Sequence, residues 1–279
     1  MKTSLIRSFT MLLFLSVTLS CTELYVYPCQ IIGFYWEGKW HEVTYNDSHR
    51  IVSLSSPSSK ISFYYDEVSR LKAAFIYLNG ESSPYYLYEF IQGPYGIIQT
   101  DIYFPSALGT MHNRYQYHYS DANTVDYIIW QEFGTDEQLG FEIQYDILYS
   151  NGNVKHIKGT SSMIRTDYFG IKYDDKRNPF KALAAFVGNP LFFPIGSHAN
   201  FPIESETSYD ISFLNRLSEN NPLYARYQIP NADAQEQYIY YAYENNMPVK
   251  IKWEDFAYGN VKVATYAFKL DCKGAKVEP

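Results

Sequence analysis

The sequence predicts an all-β protein: an antiparallel meander of tandem hairpins forming one large twisted or curled sheet or a sandwich, with one or two short helices. Three observations predict it. Among 279 residues there are 29 Tyr and 18 Phe, strand formers that outnumber what helices favour. Apolar and polar residues alternate with period two in many short segments. Gly, Asn, Asp and Pro separate those segments as turn residues should.

The N-terminus reads as an export signal, residues 1–20. Lys2 and Arg7 precede the apolar run Phe9 to Leu19, which is too short for a bilayer span of about twenty residues and right for a secretory core. Two cleavage patterns compete. Thr18 and Ser20 suit ordinary signal peptidase, whereas Leu19-Ser20-Cys21 resembles a bacterial lipobox with Cys21 as the lipidated residue. The odd count of three cysteines favours the lipobox. That leaves Cys29 and Cys272, near the two ends of the mature chain, either as buried free thiols or as a disulfide. A bridge there would stabilise by about 5 kcal/mol on chain-entropy grounds. Only Glu23 follows as an early acid, so an outer-membrane lipoprotein facing either the periplasm or the cell surface is expected.

The mature part, 21–279, is expected to be a single β-rich domain with a seam near 160–170. The clearest alternation is at 114–119, where Tyr115, Tyr117 and Tyr119 share one face and Arg114, Gln116 and His118 the other. Segments 249–253 and 261–270 alternate likewise. Further strands are expected at 61–65, 71–77, 85–91, 96–103, 125–133, 141–149, 154–158, 161–166 and 237–243. Asn178-Pro179 ahead of FKALAAFV and Gly188 predicts a short helix, and Asp210 before ISFLNRL a second. The Pro-bearing stretch 188–208 is expected to be irregular.

A degenerate hairpin recurs at 61–77, 115–130, 141–159, 169–183 and 238–253. Its core is an aromatic strand ending in Tyr, then Asp, Glu or Ser, a polar turn, and an apolar–Lys strand. The acid or Asn can cap its own turn, and the tyrosines can stack across strands. With the lipobox, these Tyr-Asp hairpins, the string YDDKRNPF at 173–180 and YAYENNMPVKIKW from Tyr241 resemble the Tyr-rich secreted lipoproteins of Bacteroidetes, a domain of unknown function with hairpins similar to YD repeats. The resemblance is best over 141–272. It implies a β-rich fold and an envelope location, and it offers no catalytic residues. TELYVYP after Cys21 departs from the polar tether usual in that family.

Chemistry is sparse in the pattern. With 23 basic against 30 acidic residues and net charge −7, nucleic acid is not an expected partner. No nucleophile elbow is present, Gly196-Ser197-His198 lacking the required glycine and setting. His41, His49, His112, His118, His156 and His198 have no zinc-site spacing. On a continuous strand His112 and His118 would lie about 20 Å apart. No metal or cofactor is therefore expected. The candidate ligand-stacking residues are Trp36 and Trp40 in WEGKWHE, which on one strand would share a face with Gly38 and Glu42. The leading expectation is a non-catalytic envelope lipoprotein, a binding or scaffold module for a glycan or an envelope protein, held to the membrane through Cys21. The alternative is a secreted hydrolase, acting on glycans with two carboxylates brought together from different strands.

Overall fold

The computed structural model describes residues 30–36, 39–78, 80–106, 109–121, 124–161, 165–178, 217–228, 233–244, 247–255 and 262–271. Cys21, Cys29, Cys272, the signal segment, both expected helices and the stretch 188–208 lie outside them. Sixteen strands form: β1 (Gln30–Trp36), β2 (Lys39–Tyr45), β3 (Ile51–Ser56), β4 (Ser59–Tyr65), β5 (Leu71–Leu78), β6 (Tyr86–Gln92), β7 (Ile97–Ser106) and β8 (Gly109–Asp121). They continue with β9 (Thr124–Phe133), β10 (Leu139–Ser150), β11 (Asn153–Thr160), β12 (Arg165–Arg177), β13 (Asn220–Gln228), β14 (Gln235–Glu244), β15 (Met247–Asp255) and β16 (Lys262–Asp271). Each pairs with its chain neighbours, and β16 also neighbours β1, so the strand order is a ring and the curled sheet a closed barrel. The all-β meander is as expected. Of the alternatives, the curled single sheet forms and not the sandwich. Residues 31–271 make one compact unit, and β11 pairs with β12, Ile157 opposite Tyr168.

Several turns follow from local chemistry. After β2, β4 and β9 the same five-residue turn recurs, closed by His49 N–H to Asn46 O, Ser69 N–H to Asp66 O and Glu137 N–H to Gly134 O. Its fourth residue is left-handed, with φ of 57° at His49, 63° at Ser69 and 60° at Glu137. In two of the three, the first side chain caps the turn as the sequence suggested: Asn46 Oδ1 accepts from Ser48 and Arg50 N–H, and Asp66 Oδ1 from Val68 and Arg70 N–H. The hairpin expected at 169–183 is different. Tyr173-Asp174 is no turn but the interior of β12, whose pairing with β13 slips three times. There Asp174 accepts hydrogen bonds from Tyr243, the Lys176 N–H and Asn221, so the acid serves the strand rather than a reversal.

Burial follows the strand period. On β10, Ile143, Tyr145 and Ile147 are buried while Glu142, Gln144, Asp146 and Leu148 are exposed. On β4, Ile61 and Phe63 are buried between Lys60, Ser62 and Tyr64. In a barrel the inner wall is where most apolar side chains are hidden from solvent. The buried set forms two apolar clusters, one from β1–β7 with Ile239 of β14, the other from β8–β13 with Leu217. The buried aromatic and aliphatic side chains thus pack against one another inside, while the outside mixes charged residues with apolar ones such as Tyr64, Ile98, Leu139 and Leu148.

A tyrosine bond repeats from hairpin to hairpin. Tyr45 donates to Ile31 O at 2.6 Å, Tyr65 to Ile51 O at 2.7 Å and Tyr119 to Ile97 O at 2.8 Å. Tyr173 donates to Val154 O at 2.6 Å and Tyr241 to Pro222 O at 3.1 Å. In each, the end of an even-numbered strand is tied to the start of the strand before it. On β6, Gln92 substitutes, giving its amide to Leu71 O. On β10, Tyr149 approaches the Val125 backbone without reaching hydrogen-bond geometry. Rings also meet across strands, as Tyr224 and Tyr238 do at 5.1 Å, but in these ties the hydroxyls make the bond.

Candidate functional site on the outer wall

The two expected stacking residues do not stand on one strand. Between them the chain reverses, so Trp36 pairs with Lys39 and Trp40 with Tyr35. The reversal breaks the single strand on which 36, 38, 40 and 42 would have shared a face. Trp40 is placed on the outer wall. Its indole covers Gly33, where a Cβ would meet Trp40 Cζ2 at 2.2 Å. Glycine is needed for that approach. With one side held on the backbone, Trp40 remains 40% exposed.

A second arrangement, which sequence reading missed, centres on Asp101 of β7. Cross-strand pairing aligns Glu89, Asp101, Arg114, Gln131 and Glu142 as one polar row over β6–β10. Beside it runs a row of Phe75, Leu87, Tyr103, His112, Phe133 and Leu139. Asp101 is only 5% exposed. Its Oδ1 accepts from Arg114 Nε at 2.8 Å and meets His112 Nε2 at 2.7 Å, while Oδ2 accepts from Gln99 Nε2 at 2.7 Å. Burial works to raise its pKa, but the bonds from Gln99, Arg114 and His112 outweigh it and hold the carboxyl below the usual value. The His112 ring lies between Tyr103 and Phe133, at centroid distances of 4.7 and 4.9 Å, and Arg114 sits over Phe133. The signal was present in the sequence: counting equal steps outward from 107–108 brings Asp101 opposite Arg114 and Tyr103 opposite His112. His118 with Asp126 and His156 with Asp167 repeat the His–Asp pairing more loosely, at 3.5 and 3.6 Å.

The third feature is a tyrosine–cation patch on β12–β15. Tyr224 and Tyr238, edge to face, donate to the two oxygens of Glu236 at 2.9 and 2.8 Å. Those two bonds, led by Tyr238, hold the Glu236 carboxyl below its usual pKa. Burial and the Glu236 carboxylate raise Tyr224 to about 12. Lys172 lies over Tyr224, Arg226 over Phe169 and Lys252 over Tyr240. Tyr240 is 50% exposed. Such a surface presents rings and cations together and suits contact with sugars or with another protein. Among the described residues no three His, Cys, Asp or Glu converge on a metal position.

No protein family matches the sequence, and no curated protein does. Solved structures of two porin-like proteins are similar to different degrees. A porin-like protein from Bacteroides vulgatus superposes with TM-score 0.54 over 86% of this chain and 97% of its own, at 12% identity. A porin-like protein from Bacteroides uniformis covers 86% of this chain and 98% of its own, with TM-score 0.40 and 10% identity. The first of these establishes likeness of fold: an antiparallel β-protein of the same build.

Proposed function

We propose that the chain is a non-catalytic cell-envelope lipoprotein whose barrel stands in water, tethered through Cys21, and serves as a binding or scaffold module. The observation that carries this reading is the polarity of the wall. A barrel that crosses a membrane turns an apolar band outward and keeps polar groups within. Here Glu89, Asp101, Arg114, Gln131 and Glu142 run as one polar row across the outer face of β6–β10, with Asp146 and Lys158 outward beyond them, so the apolar side chains that the outer wall carries form no unbroken band, while the two large apolar clusters pack inside. An outward Arg or Lys at the bilayer midplane would cost about 2–4 kcal/mol. Residence in the membrane must then come from an anchor, and the lipobox at Cys21 supplies one. Binding is the role of the outer wall, through the exposed Trp40 ring and the Tyr224–Tyr238–Tyr240 patch.

Fractionation tests it. The native protein should leave membranes only with detergent, and Cys21→Ala should appear in the soluble fraction with an unchanged β-rich circular dichroism spectrum. The purified protein should give no conductance steps in planar bilayers. Detergent dependence of a folded Cys21→Ala protein, or discrete conductance steps, would overturn the reading.

A further inference from the structure

The outer face of β4 and β5 holds a groove that the packing of the barrel does not require. On β4, Ile61 and Phe63 turn inward, which leaves Lys60, Ser62 and Tyr64 facing out. Cross-strand pairing sets Lys60 against Tyr77 and Ser62 against Phe75 of β5. Beyond Leu78 the chain turns, Glu81 N–H donating to Leu78 O at 3.1 Å. Gly80 there is left-handed, with φ of 86°, and a Cβ on it would meet nothing within 4 Å. The turn brings Glu81 and Ser82 to the edge of one open space of about 410 Å³, lined also by Lys60, Ser62, Tyr64 and Tyr77. Phe75 meets Tyr64 nearly at right angles, with ring centroids 5.0 Å apart, and Tyr64 stays 49% exposed. The ring is thus held without being covered. Among the described residues, the side chains of Lys60, Ser62, Glu81 and Ser82 have no hydrogen-bond or ion-pair partner. A fixed ring and four unengaged polar side chains therefore border the same space.

We propose that this groove binds a neutral sugar of one or two pyranose rings, stacked on Tyr64. Its volume falls at the low end of small-molecule sites, which run from about 300 to 1,000 Å³. The face of an aromatic ring is negative and favours the weakly positive C–H groups of a pyranose. Because Phe75 already orients the Tyr64 ring, little side-chain freedom is lost on binding. Sugar hydroxyls both donate and accept. Ser62 and Ser82 do the same, their hydrogens turning to suit, while Lys60 only donates and Glu81 only accepts. One cation against one carboxylate leaves the groove without net charge, so neither an anion nor a cation gains over a neutral ligand. The inference rests on the outer wall being a binding surface and assigns one site on it. It does not depend on the Cys21 tether, which fractionation tests separately.

The experiment is saturation-transfer NMR on the purified full chain with maltose, cellobiose, lactose and mannobiose, with glucuronate and protonated glucosamine as charged controls. Saturable binding of at least one neutral disaccharide is expected, with transfer strongest to the C–H protons of one ring face. Affinity should be retained in Tyr64→Phe, which keeps the ring, and fall about fivefold or more in Tyr64→Ala. No saturable binding of any of these disaccharides, tighter binding of either charged control, or equal affinity in native and Tyr64→Ala proteins would overturn the proposal. Binding that survives Tyr64→Ala and is lost in Trp40→Ala would overturn it too, while leaving the outer wall a binding surface. If Tyr64→Ala does not fold, Lys60→Ala at an exposed position decides: weaker binding supports the groove and unchanged affinity refutes it.

Discussion

The Tyr65 hydroxyl donates to the carbonyl oxygen of Ile51, fourteen residues earlier, at 2.7 Å, and Tyr45 makes the same bond to Ile31. The bond joins the last turn of an outgoing hairpin to its beginning. It leaves the apolar ring among inward neighbours and spends the one polar atom on a backbone acceptor. Replacing Tyr65 or Tyr119 by Phe keeps the ring and removes only the bond, so each should lower stability by about 1 kcal/mol in urea unfolding. Tyr149→Phe, where that geometry is not reached, should cost less.

Alkali should find the same tyrosines. Burial raises the pKa of Tyr45, Tyr65, Tyr119 and Tyr173 well above the ordinary 10.0. Their folded-state values exceed the unfolded ones, so their contribution is complete below pH 10 and declines above it, as the unfolded chain releases protons the folded chain retains. Absorbance at 295 nm should show exposed tyrosines titrating first and the buried group ionising together with loss of the β-sheet signal.

Acid should act through Asp101. Its folded pKa is lowered, so its stabilisation is present above the ordinary carboxylate value of 3.8 and lost as pH falls through the lower folded value. Asp101→Asn weakens the bonds to Arg114 and His112 inside a nearly buried site, at a cost of about 3 kcal/mol at pH 7. The Tm difference between native and variant should hold from pH 7 to about 5 and shrink below pH 4.

Glu137 occupies a left-handed position, φ 60°, that Asn tolerates better. Glu137→Asn should raise stability by about 0.5 kcal/mol, read from the urea midpoint.

Gly33→Ala would place a methyl where the Trp40 indole lies. The ring must lift from the wall, and its fluorescence should shift red with little change in Tm. If the spectrum stays as it was, Trp40 is not held by Gly33.

Most of the barrel from β4 to β11 could be read from alternation, because one wall is apolar and the other wet. The first hairpin could not: WEGKWHE alternates well enough to pass for one strand, and Gly38 is the single local mark of the reversal between Trp36 and Lys39. β12 was hidden for the opposite reason. Asp174, Asp175 and Asn178 carry turn chemistry, yet Asp174 is held in the sheet by Tyr243 and Asn221, from strands β14 and β13. The Asp101–His112–Arg114 cluster needed only hairpin arithmetic.

Because every tyrosine tie closes within its own hairpin, removing or duplicating one hairpin breaks or adds a single tie and disturbs no other. The circumference of this barrel can therefore change in steps of two strands, each step arriving with its own clasp. A chain threaded unfolded across a membrane could likewise assemble from its leading end, finishing one hairpin before the next emerges.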